Sequence, residues 1–252
     1  MTDHNEKAAL LRELHRPGDP LILPNVWDAG SAAIVEQAGF PALATASAAI
    51  AAMLGYPDHE GAPVDEMFAA AARVIRAATV PVTVDAEAGY GLPAAELVER
   101  LAGIGAVGCN LEDTDHGTGE LAPAARQADR IAAVRAAATA AGTDLVINAR
   151  ADTFITKSPE PVGEAIERGR LYLEAGADCV YPIMASAEDD IAALTKGIPG
   201  PVNANAISVT PGRLAELGVA RISYGPMPYL HALDALKSFV TGLREGDSSG
   251  GS

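Results

Sequence analysis

The chain has 252 residues, 49% of them hydrophobic, and a formal net charge of −15. That length and apolar content suit a substantial core in one domain, and the acidic balance excludes nucleic acid and anionic membrane as partners, because both call for clustered Lys and Arg. The two cysteines, Cys109 and Cys179, each lie inside an apolar run, which excludes a disulfide framework and a zinc knuckle.

Residues 1–16 are charged, read as a helix near 5–15, and lack the apolar stretch of a secretory signal. No uninterrupted apolar run reaches the ~18 residues of a membrane span, so a cytoplasmic location is expected. Apolar, strand-like runs then recur at 21–28, 41–47, 81–86, 106–113, 144–152, 177–184, 200–206 and 220–225. Helix-like segments follow them at 31–38, 64–78, 93–104, 124–141, 162–175, 187–195, 211–217 and 229–243. Four of these helices run into a glycine suited to the left-handed C′ position: Gly39, Gly105, Gly176 and Gly218. Near-continuous apolar runs are the mark of parallel strands buried on both faces. Eight such strand–helix units predict an α/β fold, a (β/α)₈ TIM barrel spanning residues 1–245, with its site at the C-terminal ends of the strands. Residues 246–252 are polar and Gly/Ser-rich and are expected to be a flexible tail.

The strand ends carry the chemistry. Val82-Thr-Val-Asp-Ala-Glu87 places two carboxylates two residues apart, followed by Gly89-Tyr-Gly91. In extended chain, Asp85 and Glu87 would share a face, as a hard cation such as Mg²⁺ or Mn²⁺ requires. The same mouth would display Asn25 and Asp28, Ser47, Glu112 and Asp113, Asn148, Arg150 and Asp152, Asn203 and Asn205, and Ser223. Inward charge is costly unless paired or metal-bound, so Asp85, Glu87 and Glu112 read as a metal-binding arc. The planar fork of Arg150 suits a substrate carboxylate or phosphonate, the alternative being an ion pair with Asp152 or Glu112. Ser47, with the backbone of Ala48 behind it, can donate to an anion, although 45–50 reads by itself as a small-residue strand exit. None of Lys7, Lys157, Lys196 and Lys237 falls in a predicted strand, which argues against Schiff-base chemistry.

These stretches together resemble the isocitrate lyase / phosphoenolpyruvate mutase superfamily over residues 21–243. The matching segments are Asn25-Val-Trp-Asp-Ala-Gly-Ser31, Thr45-Ala-Ser-Ala-Ala-Ile50, Gly55-Tyr-Pro-Asp58, Asp85-Ala-Glu-Ala-Gly-Tyr-Gly91, Asn110-Leu-Glu-Asp113, Ile147-Asn-Ala-Arg-Ala-Asp152 and Gly176-Ala-Asp-Cys-Val180. The resemblance implies that Asp85, Glu87 and Glu112 hold Mg²⁺ with Asp58 beside them, and that Arg150 and the backbone at Ser47 clamp an α-keto acid or its enolate. It also implies a homodimer or homotetramer that exchanges the C-terminal helix. The pattern departs from the family after the fourth strand. Where isocitrate and methylisocitrate lyases carry K-[KR]-C-G-H, this chain has the short Thr114-Asp-His-Gly-Thr-Gly-Glu120, without a cysteine, which argues against those two activities. The sixth strand ends Tyr181-Pro-Ile183 in place of F-P-E, and the loop lysine and asparagine of phosphonate enzymes are absent, leaving His116 as a substitute proton donor.

The expected function is a Mg²⁺-dependent enzyme on a small α-keto or 2-hydroxy di-acid, a carbon–carbon lyase or decarboxylase passing through an enolpyruvate-like intermediate. Arg150, Asp58 and His116 are the catalytic candidates, and Ser47, Ala48, Asn25, Arg150, Asn203 and Asn205 the substrate-binding ones. Phosphorus–carbon chemistry, as in phosphoenolpyruvate mutase or phosphonopyruvate hydrolase, and a barrel that binds without turnover are the alternatives.

Overall fold

A computed structural model describes residues 2–245; the tail expected at 246–252 lies outside them. After α1 (Thr2–Glu13), the chain enters a first strand that Pro24 divides into β1 (Leu21–Leu23) and β2 (Asn25–Val26). Proline has no N–H to give a ladder, so each half pairs with a different neighbour. The remaining parallel strands are β3 (Leu43–Thr45), β4 (Val82–Asp85), β5 (Gly108–Glu112), β8 (Val146–Ala151), β9 (Cys179–Pro182), β10 (Asn203–Asn205) and β11 (Arg221–Ser223).

Two sheets result, β2-β3-β4-β5-β8-β9 and β1-β11-β10. They join at Pro24 on one side and, on the other, through a parallel bridge between Val180 and Val202 with Val180 N–H donating to the Pro201 carbonyl at 3.0 Å. The eight strand units therefore follow one another around a ring in sequence order, as the eight apolar runs predict. The helices between them are α2 (Ala29–Gln37), α3 (Ser47–Leu54), α4 (Val64–Ala77), α5 (Ala94–Ile104), α6 (Ala124–Ala140), α7 (Pro161–Glu174), α8 (Glu188–Gly197) and α9 (Pro211–Glu216), with α10 (Met227–Glu245) last. The four predicted end-glycines all adopt positive φ, from 84° at Gly218 to 103° at Gly176.

Two elements were not expected. Residues 47–54 form α3 where a strand exit was read, because the Ala-rich run favours helix once the short strand ends at Thr45. The loop after β5 is a small antiparallel hairpin, β6 (Thr114–Asp115) with β7 (Glu120–Leu121).

The apolar core lies between strands and helices. Leu97, Leu101, Leu111, Ile131, Ile147 and Tyr172 form its largest cluster, and burying each such side chain contributes about 1.5–3 kcal/mol. Helix α1 closes the N-terminal end, where Ala8 and Leu11 pack on Leu21, Leu23, Val107 and Val146. The ring interior is polar by comparison: Thr83, Asn148, Asn203 and Arg221 are all buried there. Helix α10 differs from the rest. Its Met227, Leu230, Leu233, Leu236, Phe239, Val240 and Leu243 are exposed, and its aromatic contact with the barrel is Tyr229 edge-on to Trp27 at 5.2 Å.

Candidate active site

Strand β4 ends at Asp85, and Glu87 lies beyond it with φ 49°. The two carboxylates are thus not brought together by strand alternation, as the D-x-E spacing suggested; a left-handed turn swings Glu87 inward. Tyr90 Oη donates to Glu87 Oε1 at 2.6 Å and Glu60 N–H donates to Oε2 at 2.5 Å. Glu60 in turn accepts from Tyr90 N–H. This ring of contacts ties the 57–61 loop to the turn after β4.

Asp85 faces the adjacent helix. Its Oδ2 accepts from Ser47 N–H at 3.1 Å, while Oδ1 is buried without a partner. Because Ala46 offers no side-chain cap to α3, the N–H groups of its first turn point at the same space. Ser47 and Ala48 line a cavity of about 170 Å³ together with Asp58, Asp85, Arg150 and Tyr181. Asp58 Oδ1 is likewise buried and unpartnered.

Glu112, at the end of β5, and Arg150, on β8, form an ion pair, and Arg150 also reaches Asp152 with Nε–Oδ1 at 2.6 Å and Nη2–Oδ2 at 2.9 Å. Both partners foreseen for Arg150 are therefore engaged, while the residue still borders the cavity. His116 is folded inward by the hairpin, its Nε2 2.6 Å from Glu112 Oε1. His59, from the 57–61 loop, lies with its ring 5.3 Å from that of His116.

Burial raises Glu87 to about 7 against the opposing Tyr90 hydrogen bond, and Asp85 adds to the rise. Burial also raises Glu112 to about 7, with Arg150 and His116 acting in the opposite sense. Contact with the Glu112 carboxylate raises His116. Glu87, Glu112 and His116 each offer one ligand atom, all within 4.8 Å of one another. Two carboxylates and an imidazole, with unpartnered oxygens on Asp58 and Asp85 nearby, suit a hard or borderline divalent cation.

Other polar strand-end residues have structural work. Asp28 caps α2 by accepting from Ser31 N–H at 2.7 Å. Asp113 accepts from Tyr172 Oη at 2.6 Å and from Arg168, away from the acidic cluster. Asn25 borders the cavity, but its amide holds the Thr45 carbonyl and the N–H groups of Tyr224 and Gly225. Asn203 and Asn205 are buried and do not line the cavity; Asn205 donates to Tyr181 Oη at 2.6 Å. Sequence reasoning missed His59, Glu60, Tyr90 and Tyr181 as parts of the site. Only Tyr90, in the Gly-Tyr-Gly turn, carried a signal that could have found it.

The phosphoenolpyruvate phosphomutase family model matches residues 11–244. The chain is similar to a crystal structure of a phosphonomutase-like protein from Burkholderia cenocepacia J2315, with 45% identity, a TM-score of 0.90 and coverage of 94% of this chain and 99% of that one. It is 33% identical to the carboxyvinyl-carboxyphosphonate phosphorylmutase of Arabidopsis thaliana, covering 91% of this chain and 72% of that protein. With the 2,3-dimethylmalate lyase of Eubacterium barkeri it shares 30% identity, covering 97% and 88%. With its ring of parallel strands and its acidic mouth, the chain belongs to the phosphoenolpyruvate mutase / isocitrate lyase superfamily and is an enzyme of the lyase and mutase kind.

Proposed function

We propose that this enzyme is a Mg²⁺-dependent carbon–carbon lyase or decarboxylase acting on a small α-keto or 2-hydroxy di-acid through an enolpyruvate-like intermediate. The observation that carries the reading is that the α3 N-terminus, Asp58, Asp85 and Arg150 line one 170 Å³ cavity, with the Arg150–Glu112 ion pair linking it to the acidic cluster of Glu87, Glu112 and His116. Glu87, Glu112 and Asp85 would hold the cation, with His116 completing the donor set. When bound, a divalent ion supplies Lewis-acid stabilisation of developing negative charge.

The chain's own groups do the rest. Ser47 N–H is given to Asp85 Oδ2, and Ala48 N–H, in the same first turn of α3, would hold one carboxylate, as helix N-termini hold anions. Arg150, kept protonated by Glu112 and Asp152, balances charge that grows on the substrate oxygen. Asp58 borders the cavity from the 57–61 loop. We place His116 with the metal and not as proton donor, since it lines the neighbouring 360 Å³ cavity with Arg126 and Arg130. The exposed apolar face of α10 supports assembly into a homo-oligomer.

Phosphonate chemistry is the second reading, favoured by the 45% identity to the phosphonomutase-like structure. Release of keto acid from 2-substituted malates, oxaloacetate and phosphonopyruvate, with and without Mg²⁺, separates the two. Turnover of phosphonopyruvate alone would overturn the lyase reading. No turnover of any of them, with oxalate still raising the Tm in a Mg²⁺-dependent way, would leave a binding barrel.

A further inference from the structure

Residues 221 and 223 of β11 share the face that points into the ring. Ser223 reaches the 170 Å³ cavity, and Arg221, two residues nearer the N-terminal end of the strand, lies beneath it with no exposed surface. Nη2 of Arg221 donates to Asn110 Oδ1 at 3.2 Å, and Nε lies 3.4 Å from Ser223 Oγ. Nη1 is buried with no partner. Arg150 and Arg168, also buried, are both paired with carboxylates; Arg221 forms no ion pair among the described residues. A buried cation without a counter-charge destabilises the fold, and an arginine cannot escape by losing its proton. A departure of this kind is expected at a functional site, where an anionic ligand can supply the counter-charge.

Both partners of Arg221 are cavity walls. Asn110 and Ser223 line the space that holds Ser47, Asp85, Arg150 and Tyr181, and Asn110 Oδ1 is fixed from a second side by Asn148 Nδ2 at 2.8 Å. In a water-poor interior, the field of a fixed charge is weakly screened and reaches past its immediate contacts. We propose that Arg221 is a positioning residue for the reaction: it fixes Asn110 and Ser223 as the cavity floor and, held in no ion pair among the described residues, supplies positive charge beneath Asp85 that draws a dianionic ligand down onto it. This rests on the reading of that cavity as the site of a small di-acid.

The test uses Arg221→Met, Arg221→Gln and Arg221→Lys in the full chain, with oxalate as the dianionic probe in the presence of Mg²⁺. Calorimetric titration and ligand-free Tm are measured for each. The Met and Gln variants should melt at or above the wild-type temperature yet bind oxalate about tenfold or more weakly, as follows from removing a nearby charge in a low-dielectric site. The Lys variant should keep most of the affinity. The monoanion glyoxylate should be weakened less than oxalate. A merely structural arginine predicts the reverse pattern, a lowered Tm with unchanged oxalate affinity, and that result would overturn the proposal. Failure of both the Met and Gln variants to fold would overturn it too. If the wild-type protein does not bind oxalate, the reading of the cavity itself falls and this inference with it; equal binding by wild type and Arg221→Met removes only the inference.

Discussion

The two ends of the barrel both carry clustered charges and use them in opposite ways. At the N-terminal end, Arg12 grips Asp144 with two hydrogen bonds of 2.7 Å and Asp178 with a third of 2.7 Å. Arg135 closes on Asp178 Oδ2 at 2.5 Å, and the same oxygen accepts from Ile147 N–H. At the C-terminal end, carboxylates outnumber cations, and oxygens of Asp58 and Asp85 are buried without partners. The first end pairs its arginines and aspartates with one another. The second leaves carboxylate oxygens free to bind, which is how a fold separates what stabilises it from what makes it act.

Breaking the paired end should give the largest effect. Asp178→Ala leaves Arg12 and Arg135 without their shared partner and should cost about 3 kcal/mol, the low end for a broken buried pair because Arg12 is partly exposed. Urea unfolding measures it, and turnover by the folded fraction should be unchanged. At the other end the expectation inverts. Glu112→Gln should lower turnover and Mg²⁺ affinity by about 100-fold or more, since even groups behind metal ligands are worth about 10–100-fold. Its metal-free Tm should fall little, and a wild-type Mg²⁺ affinity in this variant would remove Glu112 from the cation site.

The two ends should also respond to pH with opposite signs. Asp144 is depressed by the Arg12 hydrogen bond, so its contribution is present above its unfolded pKa and is lost as pH falls. Glu87 and Glu112 are raised to about 7; the folded state binds their protons more tightly than the unfolded chain does. Their contribution is full below the unfolded pKa and is lost as pH rises toward 7. Metal-free Tm should therefore decline between about pH 5 and pH 7, whereas the Tm increase from Mg²⁺ should grow over the same range, because the cation competes with protons. A Mg²⁺ effect independent of pH would contradict the assignment of these carboxylates. The smallest effect on the isolated fold is expected on the outside. Leu236→Asp with Phe239→Asp on α10 should dissociate an oligomer in sedimentation while shifting monomer stability by less than about 0.5 kcal/mol, as exposed substitutions do.

Much of this contrast is legible in the chain alone. Apolar runs with glycine-ended helices between them determine the order and number of the units, because parallel strands covered on both faces are rich in apolar residues. Asp85, Glu87, Glu112 and Arg150 stand out because charge at the end of an apolar strand is expensive without a partner. What the sequence could not decide is where each side chain points once the chain turns. Glu87 enters the site through a left-handed residue and not through strand alternation, α3 begins where a strand exit was read, and His116 folds inward on a hairpin two residues wide on each side. Asp28 and Asp113 look equivalent to Glu112 in one dimension but are consumed by a helix cap and by Tyr172 with Arg168. Arg221 shows the limit most clearly. At the start of a strand nothing in one dimension marks it, and only closure of the ring, which buries it against Asn110 and Ser223, makes it a cation without an ion-pair partner among the described residues.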